Sequence, residues 1–422
     1  MNGHDRAAPT GIAESLVALP GPSDRRVAVR VTKDALRQLR GGSPWLFDGS
    51  ITSAKDEGAA PGDLAVVFDD DRRFAAIGLW DPASPIRVKV LHTGNPVPVD
   101  DEWWTHRITD AVERRGPLVT DPDTTGYRVV HGENDGLGGL VVDDYAGTLV
   151  VKLYSSIWWP HLRAVVAAVV SVLSPDRVVL RLARSVPAPD GLHDGATLYG
   201  AAPDAPVRFR ERGLTFEADV VRGHKTGHFL DQRDNRGLVR GMAAGCSVLD
   251  VFASTGGFSV SAAAGGARSV HLVDISEPAL RTAERNLHHN RHIGAVRACD
   301  VRTTAGDAFD VLRDLARRDE RYDLVVVDPP SFANDAAGVP AARRAYFRLT
   351  QAAVRLVASG GHLVQASCSS RITDEDFFSI VHDAATKTGA TVREVRRTAH
   401  PVDHPIGFEQ GAYLKAVFVA VR

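Results

Sequence analysis

The chain reads as an α/β protein, with an open, doubly wound parallel sheet in its C-terminal half and two smaller segments before it. Three observations carry that expectation. Continuous apolar runs of strand length alternate with helical stretches beyond about residue 207, as suits strands buried on both faces. Short apolar runs bounded by Gly, Pro and Asp clusters fill the region from Val27 to about Gly94. At 422 residues the chain is also too long for one ordinary core, so two or three domains are expected.

From the start, residues 1–26 hold small residues, Pro and Gly with no apolar signal core, and read as a disordered tail. Residues 27–95 read as a small β-rich domain, with strands expected at Val27–Val31, Asp63–Phe68, Phe74–Leu79 and Ile86–Leu91. Asn95–Pro98 is a linker. Residues 98–206 read as an α+β middle domain, with helices near Trp103–Arg114 and His161–Leu173. Its strands are expected near Gly139–Asp143, Leu149–Tyr154 and Val178–Leu182. Pro187–Pro206 is rich in Pro and Gly and reads as a second linker or exposed loop.

Residues 207–422 carry the alternating pattern. Ser247–Phe252, Val270–Asp274, Leu324–Asp328 and Gly361–Ser367 are the expected buried strands. Glu277–Asn290 sets Leu280, Ala283 and Leu287 on one helical face, with Ser276 as N-cap and Pro278 in the first turn. Thr373 with Asp376 resembles a capping box opening another helix.

Composition bounds the function. With 44% hydrophobic and 24% charged residues the chain is globular in character, and no apolar run approaches the roughly 20 residues of a membrane span. Three cysteines, Cys246, Cys299 and Cys368, are too few and too scattered for a disulfide framework or a zinc site, so no metal is expected and a reducing cytoplasm fits. The net charge of −2 excludes a global basic field, so any nucleic-acid surface must be a local patch. Only seven of the 50 basic residues are Lys, so Arg would carry it.

Chemistry concentrates at expected strand ends, where ligands of open α/β sheets bind. Asp250-Val251-Phe252-Ala253-Ser254-Thr255-Gly256-Gly257-Phe258 places a glycine pair at a strand-to-helix turn, whose backbone can approach a ligand closely. The spacing is not that of the dinucleotide fingerprint, which disfavours a dehydrogenase. Asp274 ends the next strand, where an acid can bind ribose hydroxyls, and Asp307-Ala308 follows a third. A lone strand-end Asp is usually a turn former; three beside a glycine loop point to a nucleotide-like ligand. Asp328-Pro329-Pro330-Ser331-Phe332 fixes an acid on a stiff turn, since each proline restricts the residue before it. Cys368 ends a further run. Most such cysteines are small buried hydrophobes, the reading kept for Cys246 and Cys299.

These motifs together resemble class I S-adenosylmethionine-dependent methyltransferases. The stretch Gly223–Arg236, with Lys225-Thr226-Gly227 and Asp231-Gln232-Arg233, is similar to one group of them: bacterial large-subunit rRNA 5-methylcytosine methyltransferases with an N-terminal PUA domain. The likeness runs nearly the whole chain, from Pro44-Trp45-Leu46-Phe47 through Tyr127–Glu133 to Gly411–Lys415. The resemblance implies a Rossmann-like fold, a PUA-like RNA-binding first domain, S-adenosylmethionine as cofactor and large-subunit rRNA as partner. It implies that Gln232, Asp250, Phe252, Thr255, Gly256 and Gly257 line the methionine end, Asp274 the ribose, and Asp307 with Ala308 the adenine. Alternatively, the Lys225–Arg236 stretch is a solvated charged loop.

For the reaction, Cys368 would attack cytosine C6 and Asp328 would protonate N3, a division of labour that needs a soft nucleophile and an acid. Pro329, Pro330 and Phe332 would receive the extruded base, and Arg343 and Arg344, in a basic and aromatic run, would contact RNA. Some related enzymes carry a second cysteine after the prolines to assist release; here that position is Ser331, so the base removing the C5 proton is unidentified. Two other readings stay open. One is methylation of an exocyclic amine such as guanine N2, needing no cysteine; the other is a non-catalytic RNA-binding assembly factor. A homodimer is compatible with the sequence, which does not fix the oligomeric state.

Overall fold

The computed structural model describes residues 11–422 apart from His224 and Asn334. The chain forms two compact units. One comprises residues up to Arg210 together with Ala218–Leu230 and Val402–Gly411; the other comprises Glu211–Glu217, Asp231–Pro401 and Ala412–Arg422.

The first unit contains two sheets. A six-stranded sheet runs in the order Trp45–Phe47, Ile86–Thr93, Phe74–Trp80, Leu64–Phe68, Arg26–Val31, Ile51–Lys55. Val27, Val29, Val67, Ala76 and Val88 form its core. A helix over Lys33–Arg40 and the strands Trp45–Phe47 and Ile51–Lys55 were not among the expected elements. A five-stranded sheet follows, in the order Thr197–Gly200, Arg177–Leu182, Thr148–Leu153, Leu140–Tyr145, Gly126–His131, with helices Asp101–Arg114 and Leu162–Leu173. Against the expectation that no apolar run approaches a membrane span, the 18-residue stretch Ser156–Leu173 is long and apolar enough to cross one by length and composition alone. Here Leu162, Val165, Val166, Ala168 and Val169 spend that apolarity inside the unit's core.

Two expectations are corrected. Residues 1–10 lie outside the described residues, but Gly11–Leu19 is not a loose tail. Leu16 is fully buried, Ala13 donates its N–H to Leu198 at 2.9 Å, and Ile12 bridges Tyr199. Pro187–Pro206 is not simply a linker, because Thr197–Gly200 pairs antiparallel with Arg177–Leu182 and buries Leu198. Both segments are short and Gly/Pro-rich, so a single apolar anchor decides their fate, and periodicity cannot register one residue.

The second unit is the doubly wound sheet. Its strands are β1 (Ser247–Val251), β2 (Ser269–Asp274), β3 (Asp300–Ala305), β4 (Tyr322–Val327), β5 (Val357–Ser367), β6 (Val392–Thr398) and β7 (Lys415–Val421). Its main helices are α1 (Arg233–Met242), α2 (Gly257–Ala264), α3 (Glu277–His289), α4 (Ala308–Arg317), α5 (Val339–Val354) and α6 (Asp374–Thr386). The sheet order is β3-β2-β1-β4-β5-β7-β6. The first five strands are parallel, and β7 runs antiparallel between β5 and β6. Ser276 caps α3 and Thr373 caps α6, as expected. The chain direction therefore reverses its winding at β1 and β4, the switch point where ligands of such sheets bind.

Candidate functional site

Every sequence-predicted site residue lies in the second unit, at or just beyond the carboxyl ends of β1 to β5, just before α1 (Gln232) or on α5. Asp250 is fully buried in β1. Its Oδ2 accepts the N–H and the hydroxyl of Ser259, at 3.0 and 2.7 Å, and so anchors the first turn of α2. Burial raises its pKa to about 6; the Ser259 hydrogen bonds oppose that rise and nearby Asp274 adds to it. Its Oδ1 has no hydrogen-bond partner among the described residues.

The loop leaving β1 alternates left-handed residues: Phe252 at φ 65°, Ser254 at φ 48° and Gly256 at φ 78°. Two of these are not glycine, a strain of order 1–3 kcal/mol each that the surroundings must hold. Asp274 Oδ2 accepts the Ser254 N–H at 2.8 Å, and Asn286 donates to the Thr255 carbonyl at 2.9 Å. Gly256 is required twice over, by its φ and because a Cβ there would sit 2.6 Å from that of Ala283. At Gly257 a Cβ would meet the Arg236 side chain at 2.9 Å. Arg236 is itself buried in a bidentate pair with Glu211.

Asp274 uses its second oxygen to accept the Ser276 N–H at 2.8 Å. Asp307 stands exposed at the start of α4, with Oδ1 accepting the Phe309 and Asp310 N–H groups, and Ala308 is buried beneath it. Asp307 is thus the N-cap of α4 while Asp274 ties its own turn to the glycine loop, and both keep lone pairs.

Asp328 follows β4 directly, with its N–H donated to Val251 across the β1–β4 switch. Burial, then the carboxylate of Asp231, raise its pKa to about 7; Arg236 opposes and Asp250 adds. Gln232 Nε2 donates to Asp328 Oδ1 at 2.8 Å. The amide cannot turn round, because Asn235 Nδ2 donates to Gln232 Oε1 at 2.6 Å and Thr398 Oγ1 donates to Asn235 Oδ1 at 2.6 Å. A three-residue chain from β6 thus aims one N–H at the acid. Asp231 in turn accepts the Tyr413 hydroxyl at 2.9 Å.

Cys368 follows β5, the parallel neighbour of β4, and its sulfur lies 3.8 Å from the Pro329 carbonyl oxygen. The thiol and the Asp-Pro-Pro turn are therefore in contact. Ser367 and Tyr346 share a hydrogen bond at 2.8 Å, and Tyr346 makes an edge contact with Phe332, ring centroids 4.9 Å apart. Ser331 donates to the Ala333 carbonyl at 3.0 Å.

The basic run on α5 divides. Tyr346 is fully buried in the core and offers no face to a base, and Arg343 pairs with Asp376 at 2.5 Å. Arg344 is exposed. In the Gly223–Arg236 stretch, Thr226, His228, Asp231, Gln232, Arg233, Asn235 and Arg236 are buried, so it is not a solvated loop. Sequence reasoning missed Asp231, Asn235, Asn286, Thr398 and Lys415. Asp231 adjoins Gln232 and Asn235 lies one helical turn beyond it, spacings that could have flagged both; Asn286, Thr398 and Lys415 become neighbours only through the tertiary fold.

This arrangement fits S-adenosylmethionine. The orphaned Asp250 oxygen suits an ammonium group, the acids around it suit a cationic ligand, and the loop has backbone where side chains would intrude. A family model for S-adenosylmethionine-dependent methyltransferase matches residues 194–420, and one for a PUA-like domain matches residues 29–93. A ribosomal RNA large subunit methyltransferase from Deinococcus radiodurans is 45% identical over 410 residues, covering 96% of this chain and 99% of the relative. Ribosomal RNA large subunit methyltransferase I from Shewanella amazonensis is 34% identical, covering 90% and 95%. Among solved structures, a candidate S-adenosylmethionine-dependent methyltransferase from Streptococcus mutans shares the fold with TM-score 0.79 at 21% identity, over 93% of this chain and 99% of its own.

Proposed function

The chain belongs to the S-adenosylmethionine-dependent methyltransferase family, and on that premise we propose that it methylates C5 of a cytosine in large-subunit ribosomal RNA through a covalent adduct on Cys368. The substrate class is that of the Deinococcus and Shewanella relatives, which are ribosomal RNA large subunit methyltransferases. An RNA-binding role for the PUA-like segment and a cytoplasmic setting accord with it.

One observation carries the reaction type: the Cys368 sulfur against the Pro329 carbonyl, beside an acid whose pKa is near neutral. Cytosine C5 is a poor nucleophile. The Cys368 thiolate forms a bond to C6, the C5–C6 electron pair shifts, and Asp328 places a proton on N3. The cofactor supplies an electrophilic methyl group, which C5 then accepts. Loss of the C5 proton to a base still to be identified restores the C5–C6 double bond and expels the Cys368 thiolate, and N3 returns its proton to Asp328. An acid with a pKa of about 7 is half protonated near neutral pH and can both give and take back a proton there.

The cradle is assigned by the same reading. Gln232, Asp250, Phe252, Thr255, Gly256 and Gly257 hold the methionine end, Asp274 the ribose, and Asp307 with Ala308 the adenine. Pro329, Pro330 and the half-buried ring of Phe332 receive the base. Arg344 meets backbone phosphate; Arg343 does so only if it leaves Asp376.

Cys368→Ala decides between this reaction and guanine N2 methylation, which needs no thiol. Turnover should be almost completely lost, and wild-type enzyme should trap RNA containing 5-fluorocytosine as a Cys368 adduct. Retained methylation in the variant sinks the proposal.

A further inference from the structure

Lys415 opens β7 opposite Ser367, one residue before the cysteine. It is 1% exposed, a rare state for a lysine. Its ammonium donates to the carbonyl of Ser369 at 2.7 Å and to that of Ile372, closing the turn that leaves Cys368. Its nearest carboxylate, Asp374, is 3.7 Å away on a side chain 61% exposed. Two carbonyls can be satisfied by a neutral donor at far smaller desolvation cost than a buried ammonium. The charge therefore asks for a second reason, and the thiol on the same turn supplies one.

We propose that Lys415 is a positioning residue for Cys368, clamping the turn that presents the sulfur and supplying the positive field that holds the sulfur as thiolate. The inference rests on the reading of Cys368 as the nucleophile. A cation beside a thiol favours its ionised form. Burial pulls the lysine below its usual range, while Asp374 and Cys368 both oppose that loss of charge. Two carboxylates near the turn oppose ionisation, Asp328 across the Pro329 contact and Asp374 from α6 beside Lys415, while Tyr346 from α5, whose hydroxyl is raised by burial, stays neutral and adds no charge. Lys415 is the positive group among these.

The test is alkylation of RNA-free full-length enzyme by iodoacetamide from pH 5 to 10, followed at the Cys368 peptide by mass spectrometry. Cys246 and Cys299 serve as internal references, since burial raises both thiols, Cys299 to about 11. Wild-type Cys368 should titrate below the ordinary cysteine value of about 8.5. Lys415→Gln keeps a donor for the turn and removes the charge. Its midpoint should rise by about one pH unit, a roughly ten-fold slower reaction at pH 7, while Lys415→Arg should stay near wild type. A wild-type midpoint at or above that of an ordinary cysteine overturns the proposal even if no variant folds, and so does a Lys415→Gln profile that overlays the wild type. If Cys368→Ala still methylates RNA, it is the reading of the nucleophile that fails, and the alkylation profiles keep their meaning.

Discussion

Gln232→Leu gives the sharpest test of how the acid is set. The 2.8 Å hydrogen bond from Gln232 Nε2 stabilises the ionised form of Asp328, against burial and the Asp231 carboxylate. A hydrogen bond to a charged acceptor contributes about 1.5–3 kcal/mol. At about 1.4 kcal/mol per pKa unit, losing it moves Asp328 from about 7 up by roughly 1–2 units. A leucine at this buried position admits no water to replace the donor, so nothing offsets the rise. If Asp328 must be protonated to serve N3, kcat falls above pH 7 in the wild type, and the variant holds its rate to pH 8 or 9. At pH 9 the variant should then turn over about ten-fold faster than wild type, with little difference at pH 6. The assay is transfer of labelled methyl to unmethylated large-subunit rRNA at saturating cofactor, so that any weakened cofactor contact is removed from kcat. Asn235 loses its acceptor and the fold about 1–3 kcal/mol with it, so retained secondary structure is checked by circular dichroism. An alkaline limb that stays in place, or moves to lower pH, refutes Asp328 as the acid. A rate that instead rises through pH 7 in the wild type identifies a carboxylate that orients an amine.

Asp250→Asn should weaken S-adenosylmethionine binding about ten-fold or more in calorimetry, because the orphaned oxygen loses its charge while the Ser259 contacts can persist. Gly256→Ala meets both a left-handed φ and the Ala283 Cβ, and should lower stability by more than about 1 kcal/mol in urea titration and abolish cofactor binding. Glu211→Gln leaves the Arg236 charge buried without its partner, an expected loss of about 3–5 kcal/mol by the same measurement. His271 is lowered to about 4, first by burial and then by Arg302, so its contribution is complete above the unfolded value of about 6.5. That contribution, up to about 3 kcal/mol, is lost as pH falls from 6.5 toward 4, and a denaturation series over that range in wild type and His271→Gln should show the difference.

Much of the second unit was legible in the sequence because parallel strands buried on both faces leave continuous apolar runs. Four such runs, the Ser276 and Thr373 caps and the glycine turn could be read directly. The antiparallel pair β6 and β7 was not, since β6 alternates charges on an exposed face and resembles solvated chain. Likewise the helix over Lys33–Arg40 carries only Ala35, Leu36 and Leu39 inward, too few to stand out from a β-rich stretch. In the candidate site, the groups legible in the sequence are those with local chemistry: a glycine pair, acids at strand ends, a cysteine between serines. Residues that act by reaching across the sheet are not, because Thr398 and Asn235 are 163 positions apart, and Lys415 meets Ser369 over 46.

That asymmetry bears on what makes the chemistry specific. A strand-end acid, a glycine loop and a cysteine are available to many open α/β sheets, and each alone is compatible with a structural role. What distinguishes this site is that Asp328 and the Cys368 turn are each held by a polar contact from the strands beyond β5. Asp328 takes its N–H from a line that ends on β6, and the Cys368 turn takes its clamp from β7. Both strands lie beyond β5 and carry no predicted reactive residue. On the proposed reaction β6 at the sheet edge and β7 beside it frame the acid and the thiol, and weakening either line should move a titration before it moves cofactor affinity. Thr398→Val tests that ordering, since it frees the Asn235 and Gln232 amides to turn while leaving the glycine loop untouched. The Asp328-dependent limb should shift upward with cofactor affinity within about two-fold of wild type; loss of cofactor binding with an unmoved limb would place the chain in the cradle instead.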